Sequence, residues 1–165
     1  MGLKHTRRAT GQSTDQLNEG AHLLTQLILS IFRLNGQLIS SGDALILGLG
    51  LTSARWQVLG AIASTPLTVP QIARAMGLTR QSVQRTANTL GTEGFLLFKK
   101  NPAHAKASLL TLTEKGASVL KKATNIQFSW SNKLAHEYKT HDLEVALRVA
   151  KKLNDILKKE QKNEI

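Results

Sequence analysis

The sequence predicts a mainly α-helical protein with a small β-hairpin wing, in which a winged helix-turn-helix is combined with a helical dimerisation region. Three observations support this fold class. Residues 69–88 have the spacing of two short helices joined at a glycine. Two short β-prone runs follow them directly, and most of the remaining chain has the apolar spacing of longer helices.

The helix-turn-helix pattern depends on small and apolar residues at defined positions. Ala73 is small where two helices must approach closely, and Gly77 can adopt the positive φ that the turn favours. Thr68 and Thr79 are expected to cap the two helices, the first in a capping box with Gln71. The predicted buried side comprises Ile72, Met76, Leu78, Val83, Ala87 and Leu90.

The second helix of this pair, expected to reach Thr92, leaves a polar face for contacts with nucleic acid. Arg, Gln and Asn side chains form bidentate hydrogen bonds with guanine and adenine edges. The candidates for base contacts are Arg80, Gln81, Gln84, Arg85 and Asn88. Thr79 and Ser82 are expected to bind backbone phosphate together with the first helical amides. Because helix–glycine–helix segments also occur in plain helical proteins, this stretch alone leaves both interpretations open.

The residues after Gly94 predict the wing. Residues 95–100 and 108–113 are apolar and β-prone, and the turn-like stretch 101–107 separates them. A hairpin directly after a helix-turn-helix is a fairly specific combination, and it would place basic residues over the DNA backbone or minor groove. The candidates for wing contacts are Lys99, Lys100, His104 and Lys106.

Helical apolar spacing before and after this region predicts pairing with a second copy. The first such helix spans Asp15 to about Ser40 and is expected to end in a loop containing Gly42. The predicted domains are a flexible basic tail (1–13), an N-terminal dimerisation helix and loop (14–50), the winged helix-turn-helix (51–113) and C-terminal dimerisation helices (114–165). A small winged domain cannot cover these apolar stripes, so we expect a homodimer that reads two half-sites about 34 Å apart.

Composition favours a polyanionic partner. The formal net charge is +11, from 22 Lys and Arg against 11 Asp and Glu. Between residues 66 and 113 Glu93 is the single acid among six Lys and Arg, so the charge is most one-sided on the candidate DNA-reading segment. The absence of cysteine excludes disulfides and thiolate metal sites. No apolar run is long enough to cross a bilayer, so we expect a cytoplasmic protein without a membrane partner.

An enzyme is the less favoured class. The phrase from His136 to His141 is one residue too long for the zinc-protease pair of histidines, and no glycine-rich phosphate loop is present. We therefore expect no catalytic residue, metal or cofactor. A non-specific or architectural nucleic-acid-binding protein, driven by charge alone, stays the alternative, and protein contact through the winged domain is a further one. The mixed Arg, Gln and Asn face argues against both.

Several phrases resemble those of the MarR family of bacterial transcription regulators, in the family's order and over about residues 15–159. They are the phrase opening the second helix (51–59), Ile72-Ala73 with Met76-Gly77, Val83-Gln-Arg85 with Leu90 and Glu93-Gly-Phe95, and Leu112-Thr-Glu-Lys-Gly116. One departure concerns the wing tip, where the family usually has an Asp-Arg pair and this chain has His104-Ala-Lys106. Because lysine lacks the planar guanidinium fork, we expect weaker or less base-selective minor-groove insertion at this tip.

The resemblance implies a homodimer that binds a pseudo-palindromic promoter in double-stranded DNA, usually as a repressor. It also implies release by a small-molecule effector, often an anionic aromatic, bound between the dimer helices and the winged domain. The residues here that could line such a cleft are His22, Arg55 and Trp130. Each has a structural alternative: Trp130 in the core or an interface, Arg55 in an ion pair.

Overall fold

The computed structural model describes residues 18–104 and 107–163, with side chains up to residue 160. Its elements are α1 (Glu19–Ile46), a 3₁₀ helix (Leu47–Leu49), α2 (Ser53–Ala61), β1 (Leu67–Thr68), α3 (Val69–Met76), α4 (Arg80–Thr92), β2 (Leu96–Lys99), β3 (Leu109–Leu112), α5 (Glu114–Ala135) and α6 (Thr140–Asn163). The predicted fold class is confirmed: the chain is mainly α, with a hairpin wing directly after a helix-turn-helix. The tail predicted at residues 1–13 lies outside the described residues.

The chain divides into two compact units, residues 1–39 and 40–165. In the first unit, α1 begins after Asn18, whose Oδ1 accepts the Ala21 N–H at 2.8 Å, as the side chain of an N-cap does. Most large apolar side chains in the described part of this unit are exposed, among them Leu23, Leu24, Leu27, Leu29, Ile31, Phe32, Leu34 and Leu38. This helix thus presents a wide apolar surface in the single chain.

The prediction that the first helix ends near Ser40 was wrong, because α1 continues through Gly42 to Ile46. Leu45 and Ile46 extend the helical apolar spacing, and Ile46 is completely buried. Burial of such a side chain stabilises by about 1.5–3 kcal/mol, which exceeds the cost of about 1 kcal/mol for a glycine inside a helix.

The helix-turn-helix core lies between α2, α3 and α4. Its largest fully buried side chains are Val58, Leu59, Ile72, Val83 and Leu90, joined by Ile46, Leu96 and Leu110. The predicted burial of Ala73 and Ala87 is confirmed, and Leu78 is half-buried. The predicted burial of Met76 was wrong: its side chain is 40% exposed at the last residue of α3, beyond Ile72 and Ala73, which are the last buried residues of that helix.

Turn and cap geometry follow the sequence closely. Gly77 has φ 65°, and the Leu78 N–H after it donates to the Ala73 carbonyl at 2.9 Å. The capping box is formed, with the Thr68 N–H donating to Gln71 Oε1 at 2.8 Å. Thr79 Oγ1 accepts the Ser82 N–H at 3.1 Å, so α4 begins where the sequence predicts.

The described strands form an antiparallel sheet in the order β1-β3-β2. Leu96 is opposite Leu112, and Lys99 is opposite Leu109, which gives the predicted hairpin. β1 was not predicted from the sequence, because its two residues are too few to show an alternating pattern. In β1, Thr68 both pairs with Leu109 and caps α3, so the wing is tied to the start of the helix-turn-helix.

The wing junction, formed by Thr113, Lys115 and Gly116, holds the start of α5 against the turn that follows α4. Thr113 Oγ1 donates to the Gly94 carbonyl at 2.7 Å and also accepts the Gly116 N–H at 3.0 Å. Lys115 Nζ donates to the Glu93 carbonyl at 2.7 Å. A Cβ on Gly116 would overlap the Phe95 carbonyl oxygen, so only glycine allows the two backbones to pack at this distance.

We predict that Gly116→Ala destabilises the protein by about 2 kcal/mol or more, because the new methyl group must displace backbone rather than a flexible side chain. The measurement is urea unfolding followed by circular dichroism. Gly60→Ala is the matched control, since a Cβ on Gly60 in α2 meets nothing within 4 Å. Equal unfolding midpoints for the two variants would contradict the prediction.

Asp43 joins the end of α1 to the start of α2. Its carboxylate accepts the Ser53 N–H at 2.5 Å, and this backbone hydrogen bond, with a further one from the Ser53 side chain, lowers the pKa of Asp43 below its ordinary value of 3.8. The carboxylate therefore stabilises the fold fully above the pKa of the unfolded chain. This contribution is lost as pH falls through the lowered pKa of the folded state.

We predict that Asp43→Asn lowers the free energy of unfolding by about 1 kcal/mol at neutral pH, and that the difference from the unmodified chain narrows below about pH 4. Urea unfolding at about pH 7 and about pH 3 measures it. Asp155→Asn, at an exposed position of α6, controls for the change in net charge. If the two proteins differ equally in free energy of unfolding at both pH values, the negative charge of Asp43 does not contribute to stability.

Candidate nucleic-acid interface

The two faces of α4 differ sharply in chemistry. Val83, Ala87 and Leu90 face the core and are at most 1% exposed. The residues predicted to contact bases, Arg80, Gln81, Gln84, Arg85 and Asn88, are all exposed. No acidic residue occurs in α4. The buried face therefore fixes the helix rigidly, while the opposite face presents cationic and amide hydrogen-bonding groups to solvent.

The arginines of this face are available for a partner. Within residues 18–104 and 107–160, neither Arg80 nor Arg85 has a carboxylate within ion-pair distance. The amides, in contrast, contact each other, since Gln84 Nε2 donates to Asn88 Oδ1 at 2.8 Å. The face thus combines two uncompensated guanidinium groups with a hydrogen-bonded amide pair.

The start of α4 is suited to anions. Thr79 Oγ1 accepts the Ser82 N–H, so the threonine hydroxyl proton stays available to donate outward. The remaining first-turn amides carry the positive end of the helix dipole, and Ser82 is exposed beside them. Phosphate binding by Thr79 and Ser82 is compatible with this geometry and stays a prediction.

The wing contributes exposed cations at the end of β2. Lys99 and Lys100 are exposed, and so is His104, which lies in the following turn with its N–H donating to the Asn101 carbonyl at 3.3 Å. Lys106, also predicted as a wing contact, lies outside the described residues. Contact of these wing residues with DNA stays a prediction.

The wing and α4 enclose a groove of about 430 Å³, which we call the reading groove. Its lining includes Arg80, Gln81, Gln84, Phe98 and Ser108. The structure therefore brings three of the predicted base-contact residues together with the wing. Phe98 was given no separate role in the prediction, because the apolar and aromatic run 95–100 indicated only a strand. In β2, Leu96 is buried whereas Leu97 and Phe98 are 52% and 42% exposed, so the spacing of this run gave no signal for the position of the Phe98 ring.

A second groove, of about 510 Å³, lies between α3 and the wing and is lined by Arg74 and His104 among others. Arg74 is exposed in the last turn of α3. Arg74 is one of the six Lys and Arg residues between positions 66 and 113, but no contact was predicted for it. Since Arg74 and His104 face the same groove, Arg74 extends the basic surface of the wing toward α3.

Arg55 of α2 is held in a bidentate ion pair with Glu93 at the end of α4. Arg55 Nη2 lies 2.6 Å from Glu93 Oε1, and Nη1 lies 3.0 Å from Oε2. The same Nη1 donates to the Gly50 carbonyl at 3.2 Å. A guanidinium at the C-terminus of α4 also complements the negative end of its dipole. Arg55 is therefore in an ion pair, which was the alternative to its role in effector binding.

The other two residues suggested for an effector cleft lie in different units. His22, in the 1–39 unit, is exposed, and its Nε2 lies 2.9 Å from Gln26 Nε2. Trp130, on α5 in the second unit, is half-buried. Effector binding by His22, Arg55 and Trp130 stays a prediction.

Among the described residues, no group of three or more His, Asp or Glu side chains is placed to hold a metal ion. None of the described helices is both long and apolar enough to span a membrane.

Comparison with known proteins gives matches in both sequence and structure. A model of the MarR family matches residues 49–107. Uncharacterized proteins of Mycobacterium tuberculosis and Mycobacterium bovis are 42% identical over 112 residues, which is 68% of this chain and 78% of theirs.

Two solved structures share the fold over most of the chain. The transcriptional regulator BldR of Sulfolobus solfataricus has a TM-score of 0.72 at 17% identity, covering 87% of this chain and 99% of its own. The transcriptional repressor CouR, bound to a 23-mer DNA duplex, has a TM-score of 0.71 at 19% identity, covering 85% of this chain and 99% of its own.

Proposed function

Since the chain belongs to the MarR family and has the fold of its transcription regulators, we propose that it regulates transcription by binding double-stranded DNA. In this proposal a homodimer binds a pseudo-palindromic promoter site sequence-specifically in the cytoplasm and represses transcription. The observation that carries it is the exposed face of α4, where Arg80, Arg85 and three amide side chains lie on a helix that contains no acidic residue.

The shape and chemistry of α4 fit the major groove of B-DNA. That groove is about 12 Å wide and admits one α-helix, and each base pair presents a distinct pattern of donors and acceptors there. Guanidinium and amide groups match guanine and adenine edges respectively. The buried residues of α4 hold its backbone in place, so the side chains that read bases are presented from a rigid support.

The wing supports this docking electrostatically. Lys99, Lys100 and His104 lie beyond the reading groove, where they would meet phosphates next to the base pairs that α4 contacts. Lysine acts as a point charge, so these contacts would add affinity on every sequence alike. Lys106 is included in the proposal on its charge alone.

The proposed homodimer rests on apolar surface that the single chain leaves exposed. In the second unit this surface comprises Phe128, Leu134, Leu143, Leu147, Val149, Ile156 and Leu157 on α5 and α6. Extensive exposed apolar surface marks an interaction site in many proteins. A two-fold partner would cover it and supply a second α4 for the other half-site.

The proposed regulator is released from DNA by a small anionic aromatic effector. The support for this release is the family relationship together with an imidazole at His22 and an indole at Trp130. Arg55 would have to exchange Glu93 for the effector, because both of its terminal nitrogens are engaged.

The alternative is a non-specific or architectural binder, favoured by the net charge of +11 and the many lysines outside the winged region. The two functions differ in selectivity. We expect the purified protein to prefer a pseudo-palindrome in its own upstream DNA over random competitor by about a thousandfold or more at physiological salt. Fluorescence anisotropy measures the preference, and equal, steeply salt-dependent binding to both DNAs would establish the alternative.

We predict that Arg85→Ala weakens binding to the preferred sequence by about 1–3 kcal/mol and relaxes base preference at one position of each half-site. Arg148→Ala, on α6, removes the same charge from an exposed position away from α4 and controls for overall electrostatics. Lys99→Ala is expected to weaken all sequences alike. Equal losses on preferred and random DNA for Arg85→Ala would show that Arg85 contacts phosphate.

For the homodimer, we predict that Leu147→Glu shifts the protein toward monomer, because a charge would be placed in the apolar interface of α6. Light scattering coupled to size exclusion at micromolar concentration measures the mass. Leu97→Glu is the matched control, since Leu97 on the wing is 52% exposed and Leu147 is 55% exposed. A monomeric unmodified chain would rule out the homodimer.

A further inference from the structure

The hydrogen bond between Gln84 and Asn88 makes two of the predicted base-contact residues into one unit. The two side chains lie one turn apart on the exposed face of α4, with Gln84 Nε2 donating to Asn88 Oδ1 at 2.8 Å. We propose that Gln84 reads an adenine and that Asn88 is a positioning residue, which orients the Gln84 amide without contacting a base itself. This inference rests on the proposed function and deepens it.

The hydrogen-bonding capacity of Gln84 supports adenine as its target. A glutamine amide has two N–H donors and one carbonyl oxygen. One N–H is used by Asn88, which leaves one donor and the oxygen directed away from Asn88. Adenine presents one acceptor, N7, and one donor, the N6 amino group, in the major groove. The groups that remain on Gln84 therefore match adenine in number and kind.

Position along α4 separates the roles of the two residues. The helix begins at Arg80 and has 13 residues, so Gln84 is the fifth residue and Asn88 the ninth. Recognition helices contact base edges chiefly through their N-terminal residues. Gln84 also lines the reading groove together with Arg80 and Gln81, whereas Asn88 is not part of that lining.

The wing packs against α4 just beyond Asn88. Gly91 follows it on the same side of α4, and a Cβ on Gly91 would lie 3.0 Å from Cε2 of the Phe98 ring. Phe98 thus packs directly on this part of the helix. The wing therefore contacts the side of α4 that Gln84 and Asn88 share, at Gly91, about one turn beyond Asn88.

An oriented amide has a clear consequence for selectivity. An exposed glutamine samples many rotamers, and this freedom is lost when it forms two hydrogen bonds with a base. The hydrogen bond to Asn88 removes part of that freedom before DNA binds, and it also fixes which amide edge faces the groove. Removing Asn88 should therefore weaken discrimination at the base pair that Gln84 reads, and at no other base pair.

The test is a double-mutant cycle on the full-length protein. Binding sequences are first selected from a random duplex library with the unmodified chain. Affinities for the selected sequence and its single-base variants are then measured for Gln84→Ala, Asn88→Ala, the double variant and Asn88→Asp. The Asn88→Asp variant keeps the acceptor for Gln84 Nε2 but adds a negative charge next to DNA. Circular dichroism checks that each variant is folded.

We expect Gln84→Ala to lower discrimination for adenine at one base pair by roughly tenfold. Asn88→Ala is expected to lower discrimination at the same base pair. The double variant is expected to lose no more discrimination than Gln84→Ala alone. Asn88→Asp should keep the discrimination while its affinity for every sequence falls, because the added charge repels phosphates without releasing the amide.

Three results would overturn the inference while the proposed function stands. They are additive losses in the double variant, a preference altered by Asn88→Ala at a different base pair, and loss of discrimination in Asn88→Asp. If the unmodified chain selects no sequence from the library, sequence-specific binding itself fails, and the inference fails with it.

Discussion

The backbone of α5 packs so closely against the turn after α4 that residue 116 can only be glycine without displacing the Phe95 carbonyl. This approach depends on Thr113, whose hydroxyl bonds the Gly94 carbonyl on one side and the Gly116 N–H on the other. Because β2 begins at Leu96, the same contact fixes where the wing leaves the helix-turn-helix. The width of the reading groove therefore depends on this junction.

The two ends of α4 are held by different kinds of contact. Its C-terminal end is held by the Arg55–Glu93 ion pair and by Lys115, which also lies 4.3 Å from the centre of the Phe95 ring. At its N-terminal end Thr79 caps the helix and Val83 is buried, while Arg80, Gln81 and Ser82 are exposed. This asymmetry suits a helix that must present its first two turns to a partner while its far end stays fixed.

Residue types alone located most of the candidate site. Arg, Gln and Asn on one helical face are visible from spacing, because a helix with Val83, Ala87 and Leu90 buried must expose Arg80, Gln84 and Arg85. Spacing could not show that Gln84 and Asn88 bond each other, since this depends on rotamers. Nor could it show that Phe98 turns toward α4, since which face of a strand is buried depends on the elements packed on it.

By itself, the sequence determined the local features: the Thr68 and Thr79 caps, the turn at Gly77 and the order of helix-turn-helix and hairpin. Each depends on residues at most a few positions apart, so side-chain chemistry and spacing are sufficient. Tertiary structure alone decided that α1 continues through Gly42, that Thr68 joins the sheet and that Met76 stays exposed. These outcomes depend on which distant surfaces meet, because burial against a neighbouring element outweighs the small local preference of a single residue.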